Sequence, residues 1–244
     1  MTAYGTATLR DNGTSRLIAS REHWLDYSFE DDLDLRIGRL VLPFGIRQPD
    51  HTQYVREDFG FDKWNQDYSL ELDWRTGGWG LFANAFIGDL TGQPAPRQDR
   101  GFAASVLRNI GELSSLGLSV LGSTSTARRH YAASAQARLG LGDSTYLLAE
   151  FAVQRFDTVQ ADTGLSTLAS YARLGWFARR DLDVYLEGGQ RSFVHDAEFA
   201  KQRAGVGVNW QVLGWFEFAP QLLVEARENL PTRLLALGQL HLIY

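Results

Sequence analysis

From Asp67 onward, apolar and polar residues exchange places at almost every step of the chain. Tyr68, Leu70, Leu72 and Trp74 share one parity, and Ser69, Glu71, Asp73 and Arg75 share the other. A side-chain period of two belongs to a β-strand with two different faces; a helix repeats every 3.6 residues. Thr76-Gly77-Gly78 is a tight-turn signal, and Trp79 to Ile87 returns as the hairpin partner. The pattern recurs downstream. Tyr131, Ala133, Ala135, Ala137 and Leu139 alternate with Ala132, Ser134, Gln136 and Arg138. Leu147, Ala149, Phe151 and Val153 oppose Glu150 and Gln154, and Leu174 and Trp176 oppose Arg173. Ala204, Val206, Val208 and Trp210 stand against Arg203, and Phe216, Phe218, Leu222 and Val224 against Glu217 and Glu225.

The N-terminal quarter is less regular. Asp11-Asn12-Gly13 marks a hairpin turn, but in Arg16 to Phe29 neither parity is clean, and a bulge is needed to repair the pattern. Glu30-Asp31-Asp32 then turns into Leu33, Leu35 and Ile37, opposite Asp34 and Arg36. The whole chain reads as roughly fourteen strands, within a range of about 12–16. Connections alternate in length. Short ones fall at 30–32, 76–78, 111–114, 140–143, 179–182 and 211–214, and mostly longer ones at 43–66, 89–100, 123–130, 157–166 and 194–200. No linker or composition break divides residues 1–244, so a single domain is expected.

Hydrophobic residues make up 44% of the chain and no run of 18 apolar residues occurs, which rules out transmembrane helices. A membrane-spanning strand needs only ~10 residues of alternating polarity. One-sided loop lengths and an even strand count fit a closed antiparallel transmembrane β-barrel with short periplasmic turns and longer extracellular loops. A soluble β-sandwich or propeller also alternates but needs no such asymmetry. Trp74 and Trp79 flank one short turn, and Trp176 and Trp210 lie beside two others. With Tyr244 they are the expected aromatic girdle.

In a barrel the charged parity faces inward. The expected pore-lining set is Arg36, Glu71, Asp73, Arg75, Arg138, Glu150, Arg173, Glu187, Arg191, Arg203, Glu217 and Glu225. Both signs are present, so the groups either pair across the interior or set up a transverse field. The segment 43–66 is long for a hairpin and aromatic-rich. It is expected outside the barrel or folded inward as a constriction, with Asp50, His51, Arg56, Glu57 and Asp58 at its tip.

The chain ends Leu240-His241-Leu242-Ile243-Tyr244, an alternating strand closed by an aromatic residue. Such an ending resembles the outer-membrane β-barrels, and that resemblance implies recognition of Tyr244 by the barrel assembly machinery. The stretch Arg36-Ile37-Gly38-Arg39-Leu40-Val41-Leu42-Pro43-Phe44-Gly45 resembles the strand-to-loop segment of outer-membrane porins, including phosphate-selective porin-like proteins. It implies a Gram-negative outer-membrane channel bathed in lipid and lipopolysaccharide. Phosphate-selective relatives use a lysine-lined path, whereas Lys63 and Lys201 are the only lysines here and net charge is −5. Export requires a signal segment; Met1 runs directly into strand-like residues, so an initiator is expected to stand where that segment was removed.

Cysteine is absent, which removes disulfides, thiolate metal sites and covalent haem attachment. The acidic balance offers no field for nucleic acid. His23, His51, His130, His195 and His241 are the histidines; Asp50-His51 and His195-Asp196 are adjacent pairs, which point oppositely on a strand and form no dyad. No cofactor is expected. The leading expectation is passive diffusion of small hydrophilic solutes or ions through the barrel. The alternatives are a sleeve around a partner protein, such as a cytochrome of an electron conduit, and an outer-membrane hydrolase.

Overall fold

A computed structural model describes residues 1–11, 16–46, 59, 66–88, 99–159, 164–194, 196–228 and 230–242. Among these residues fourteen strands follow one another: β1 (Thr2–Asp11), β2 (Arg16–Glu30), β3 (Leu33–Leu40), β4 (Asp67–Thr76), β5 (Trp79–Phe86), β6 (Arg100–Asn109) and β7 (Ser115–Thr124). The second half is β8 (Arg128–Gly140), β9 (Thr145–Thr158), β10 (Gly164–Arg179), β11 (Leu182–Phe193), β12 (Asp196–Leu213), β13 (Phe216–Arg227) and β14 (Leu230–Leu242). They form one sheet in sequence order, each strand antiparallel to the next.

The faces are inverted relative to a soluble protein. On β4, Glu71 and Asp73 are each 1% exposed, while Leu70 and Leu72 on the other face are 45% and 41% exposed. The same holds on β9, where Glu150 and Gln154 are buried and Phe151 and Val153 are open. Burying carboxylates while baring leucine is unfavourable in water and favourable only where hydrocarbon surrounds the sheet. In that surrounding the sheet edges need partners, so this topology is stable only as a closed cylinder.

The sheet curls. Ile46 donates its backbone N–H to Glu150 Oε2 on β9 at 2.9 Å, and Gly45 donates to Ser119 Oγ on β7 at 3.1 Å. In a flat sheet β3 and β9 would lie six spacings apart, about 29 Å. The six steps from Leu40 to Ile46 reach at most about 21 Å. Only a curved wall brings β9 within range.

The six short turns sit within three residues of where the sequence places them, at 31–32, 77–78, 110–114, 141–144, 180–181 and 214–215. The opposite end differs. The expected loops 123–130, 157–166 and 194–200 contract to 125–127, 159–163 and 194–195, and Arg227 and Pro231 belong to strands on either side of 228–229. Ser125 closes one such turn, its N–H donating to Arg128 O at 2.8 Å. The cause is strand length. β12 has 18 residues, about 60 Å of chain. Tilted by about 45°, it spans far more than the apolar band of about 25 Å. Beyond that band a strand needs no apolar face, so its polar ends read as loop. Long connections on that end remain at 41–66 and 87–99.

The bulge required in the second strand lies between Ser20 and His23, where β1 advances from Ala7 to Gly5. It restores Trp24 and Asp26 to the face of Arg36, with Leu25, Tyr27 and Phe29 outside.

Candidate functional site

All twelve charged residues expected to line the interior share the inward parity of their strands. Arg36 lies amid three carboxylates, 3.6 Å from Asp26, 3.4 Å from Glu71 and 3.8 Å from Asp73, with its guanidinium 5.4 Å from the Trp24 ring centre. Arg75 reaches back to Asp73 from the rim of the short-turn end. Arg173 and Glu187 are directly opposite on β10 and β11 and meet at 2.6 Å, both almost fully buried. Arg173 also lies 3.8 Å from the Tyr185 ring centre, and Tyr171 donates its hydroxyl to Glu187 at 3.3 Å. Arg203 pairs with Glu225 at 2.8 Å, and Glu225 also takes Arg227 at 2.7 Å.

A cavity of about 410 Å³ opens at the short-turn end, with Arg138, Tyr146, Asp183, Tyr185 and Gln221 on its wall. Tyr146 and Asn209 both donate to Asp183, at 2.8 and 3.2 Å, and Gln221 donates to the Tyr185 hydroxyl at 2.6 Å. Asp183, Tyr146, Asn209, Asp26, Lys201 and Arg227 were not among the expected lining residues. Asp183 has the parity of Glu187 two turns of the pleat away, so the signal was present; Lys201 and Arg227 were hidden in stretches that read as loop edges.

Leu42, Pro43, Phe44 and Ile46 are buried against the inward side, together with Phe59. Leu42, Phe44 and Phe59 pack in one apolar cluster with Phe86, Ala103, Leu121, Ala132, Ala152 and Ala169. Small residues at one level on β6 to β10 leave the room this segment fills. Two glycines permit its path. Gly45 has φ +63°, and a Cβ there would stand 1.9 Å from the Glu150 carboxylate; Gly38 has φ +148°, and a Cβ would stand 2.2 Å from the His23 carbonyl oxygen. Asp50, His51, Arg56, Glu57 and Asp58 lie outside the described residues.

Trp74, Trp79, Trp176 and Trp210 face outward near the short turns, 39–53% exposed, which excludes a role as soluble core. Trp215, missed in the sequence, extends the row at 56%. Arg108 stands outside as well, 4.8 Å from the Trp79 ring centre and donating to the Gly77 carbonyl at 2.7 Å. Tyr244 lies outside the described residues. Of the histidines, His130 meets Gln154 at 3.2 Å and stacks on Phe156, and His23 packs edge-on to Tyr68. His241 is opposite Glu217 in the β13–β14 register, and His51 and His195 lie outside the described residues.

An up-and-down antiparallel sheet with apolar exterior, charged interior and a basal row of tryptophans defines a membrane-spanning β-barrel. Solved structures share the fold. An OmpT loop-deletion mutant, an outer membrane protein of Vibrio cholerae, superposes with a TM-score of 0.77 at 9% identity, covering 98% of this chain and 84% of that one. An anion-selective porin from Comamonas acidovorans gives 0.68 at 13% identity, covering 93% of this chain and 75% of that one. Pseudomonas putida OprB gives 0.67 at 13% identity, covering 90% and 72%. No protein-family model and no curated protein matches the sequence.

Proposed function

We propose that the protein is a porin of the bacterial outer membrane, passing small hydrophilic solutes or ions by diffusion. The observation that carries this reading is the buried polar wall: Glu71, Asp73, Glu150, Arg173 and Glu187 all turn away from the lipid-facing leucines. A charged, hydrogen-bonding interior suits water and hydrated solutes. The 41–46 segment narrows that interior on the side of β6 to β10, and the carboxylates around Arg36 face a more basic wall on β10 to β13. Opposed signs across a narrow passage orient dipolar solutes and weigh cations against anions. The porin fold of the structural neighbours supports the same reading.

A sleeve around a partner protein would need an inner wall free to receive it. Leu42 to Ile46 and Phe59 already cover part of that wall, which favours the channel. Planar-bilayer recording of the refolded protein tests the proposal. Stepwise conductance in KCl is expected; a heat-modifiable, folded barrel that never conducts would overturn it.

A further inference from the structure

The lipid-facing side of the wall is not evenly covered. On β8 to β12, Leu139, Leu147, Leu174, Leu186 and Val206 lie opposite one another in one outward cross-strand row. The next outward row, away from the short turns, holds Ala137, Ala149, Ala172, Gly188 and Ala204, again in direct register. Five successive strands thus set a ridge of large side chains beside a trough of small ones. Leu174, Leu186 and Val206 are exposed, and so is Phe151 on the other side of the trough.

The row of the trough runs on to a cation. Ala137 is opposite Leu116 on β7, Leu116 is opposite Arg108 on β6, and Arg108 is opposite Trp79 on β5. Trp79, Arg108 and the small residues line one outer groove of about 1140 Å³. Arg108 is the last residue but one of β6, whereas Ala172 lies seven residues before the end of β10. The groove therefore leaves the short-turn end as it crosses the strands. From β6 to β10 is four strand spacings, about 19 Å. With strands tilted by about 45°, that path climbs roughly 14 Å. One leaflet is half of a hydrocarbon layer about 30 Å thick, so the climb matches its depth. The Arg108 guanidinium is held by the Gly77 carbonyl at 2.7 Å and lies 4.8 Å from the Trp79 ring centre. Among the described residues no carboxylate pairs with it, which leaves its other N–H donors for an acceptor outside the protein.

We infer that the groove holds one glycerophospholipid of the leaflet beside the short turns, with its phosphate on Arg108 and one acyl chain along the trough. A guanidinium fork matches two phosphate oxygens, and a tryptophan such as Trp79 belongs at headgroup level. A chain lying on Ala149 and Ala172 also touches the flank of the leucine ridge, and gains dispersion contacts that an even wall does not offer. The trough is one outward residue wide, about 7 Å along a strand. That is room for a single chain and too narrow for the wall of a second barrel. The cation stands where a phosphate lies, and the groove is as deep as the tail that follows it, so charge and geometry select the same occupant. The site needs the barrel but not conduction through it.

Native mass spectrometry of the delipidated, refolded protein tests the site, with palmitoyl-oleoyl phosphatidylglycerol added in a mild non-ionic detergent. Wild-type protein should keep one lipid under activation that strips the rest. Arg108→Gln should retain it at least about fivefold less. Ala149→Leu/Ala172→Leu fills the trough without touching Arg108 and should lower retention at least about threefold. Arg179→Gln, at a short turn outside the groove, should match wild type. Heat-modifiable gel migration checks that each variant folds; if the double variant does not, Ala172→Leu alone should still lower retention about twofold or more. A wild type that keeps no lipid, or retention unchanged by Arg108→Gln, overturns the site. Loss with Arg108→Gln but none on filling the trough also overturns it, by reducing the site to a headgroup contact. Displacement of the lipid by inorganic phosphate would assign Arg108 to a free anion, and a dimer lost on filling the trough would assign the groove to a second copy; either result rejects the inference. A barrel that keeps its lipid but never conducts retains the site and loses the channel.

Discussion

Glu150 accepts the backbone N–H of Ile46 at 2.9 Å, joining residues 104 positions apart in the chain. The bond fastens the segment after β3 to the far wall, and Gly45 beside it can adopt its left-handed conformation only because it has no Cβ. Gly45→Ala should therefore detach the segment. Strain and the clash with the carboxylate together should lower stability by about 1–3 kcal/mol. Single-channel recording should show larger, noisier steps than wild type; unchanged steps would mean that the segment does not narrow the path.

The Arg173–Glu187 pair gives a stability prediction. Side chains only 6% and 5% exposed cannot lose one partner cheaply. Glu187→Leu alone should cost about 3–5 kcal/mol in urea titrations from lipid vesicles, because it strands a buried guanidinium. Arg173→Met/Glu187→Leu should recover much of that loss. A double-mutant cycle with no coupling would contradict the pairing.

Val120 on β7 tests which face meets lipid. It is 48% exposed, and in a soluble sheet an arginine there would change stability by less than about 0.5 kcal/mol. Facing a bilayer, Val120→Arg should cost about 2–4 kcal/mol and reduce insertion into vesicles. Insertion and stability equal to wild type would place β7 in water.

Arg138 faces inward at the short-turn cavity with Asp183 and Glu217 nearby on the same wall. Arg138→Gln leaves those carboxylates a larger share of the local field. Reversal potentials under a KCl gradient should shift toward cation selectivity, with unit conductance little changed. An unshifted potential would remove Arg138 from the ion path.

Much of the wall was legible because a period of two is a local property. Glu71, Glu150, Arg173 and Glu187 could be assigned to one face from their own neighbours, and turns such as Gly77-Gly78 announce themselves. What escaped depended on distant parts of the chain. The bulge between Ser20 and His23 is defined only against β1. Lys201 and Arg227 lie on strand ends that project past the apolar band, where alternation of polarity stops although pairing continues. The alignment of Ala137, Ala149, Ala172, Gly188 and Ala204 is a matter of register across five strands, which no single segment encodes. The route of Leu42 to Ile46 was equally hidden, since the alanines that make space for it come from four other strands.

Among the described residues, each strand contacts only the strands before and after it in sequence. Such a wall can grow hairpin by hairpin, with short loops to close at every step. Gly45 and Ile46 are different: their partners are Ser119 and Glu150, which do not exist as a surface until β7 to β9 have been laid down. Docking of this strap is thus a late event in biogenesis. A barrel arrested before β9 would carry a loose, apolar Leu-Pro-Phe segment with nowhere to rest, a natural mark of an unfinished molecule.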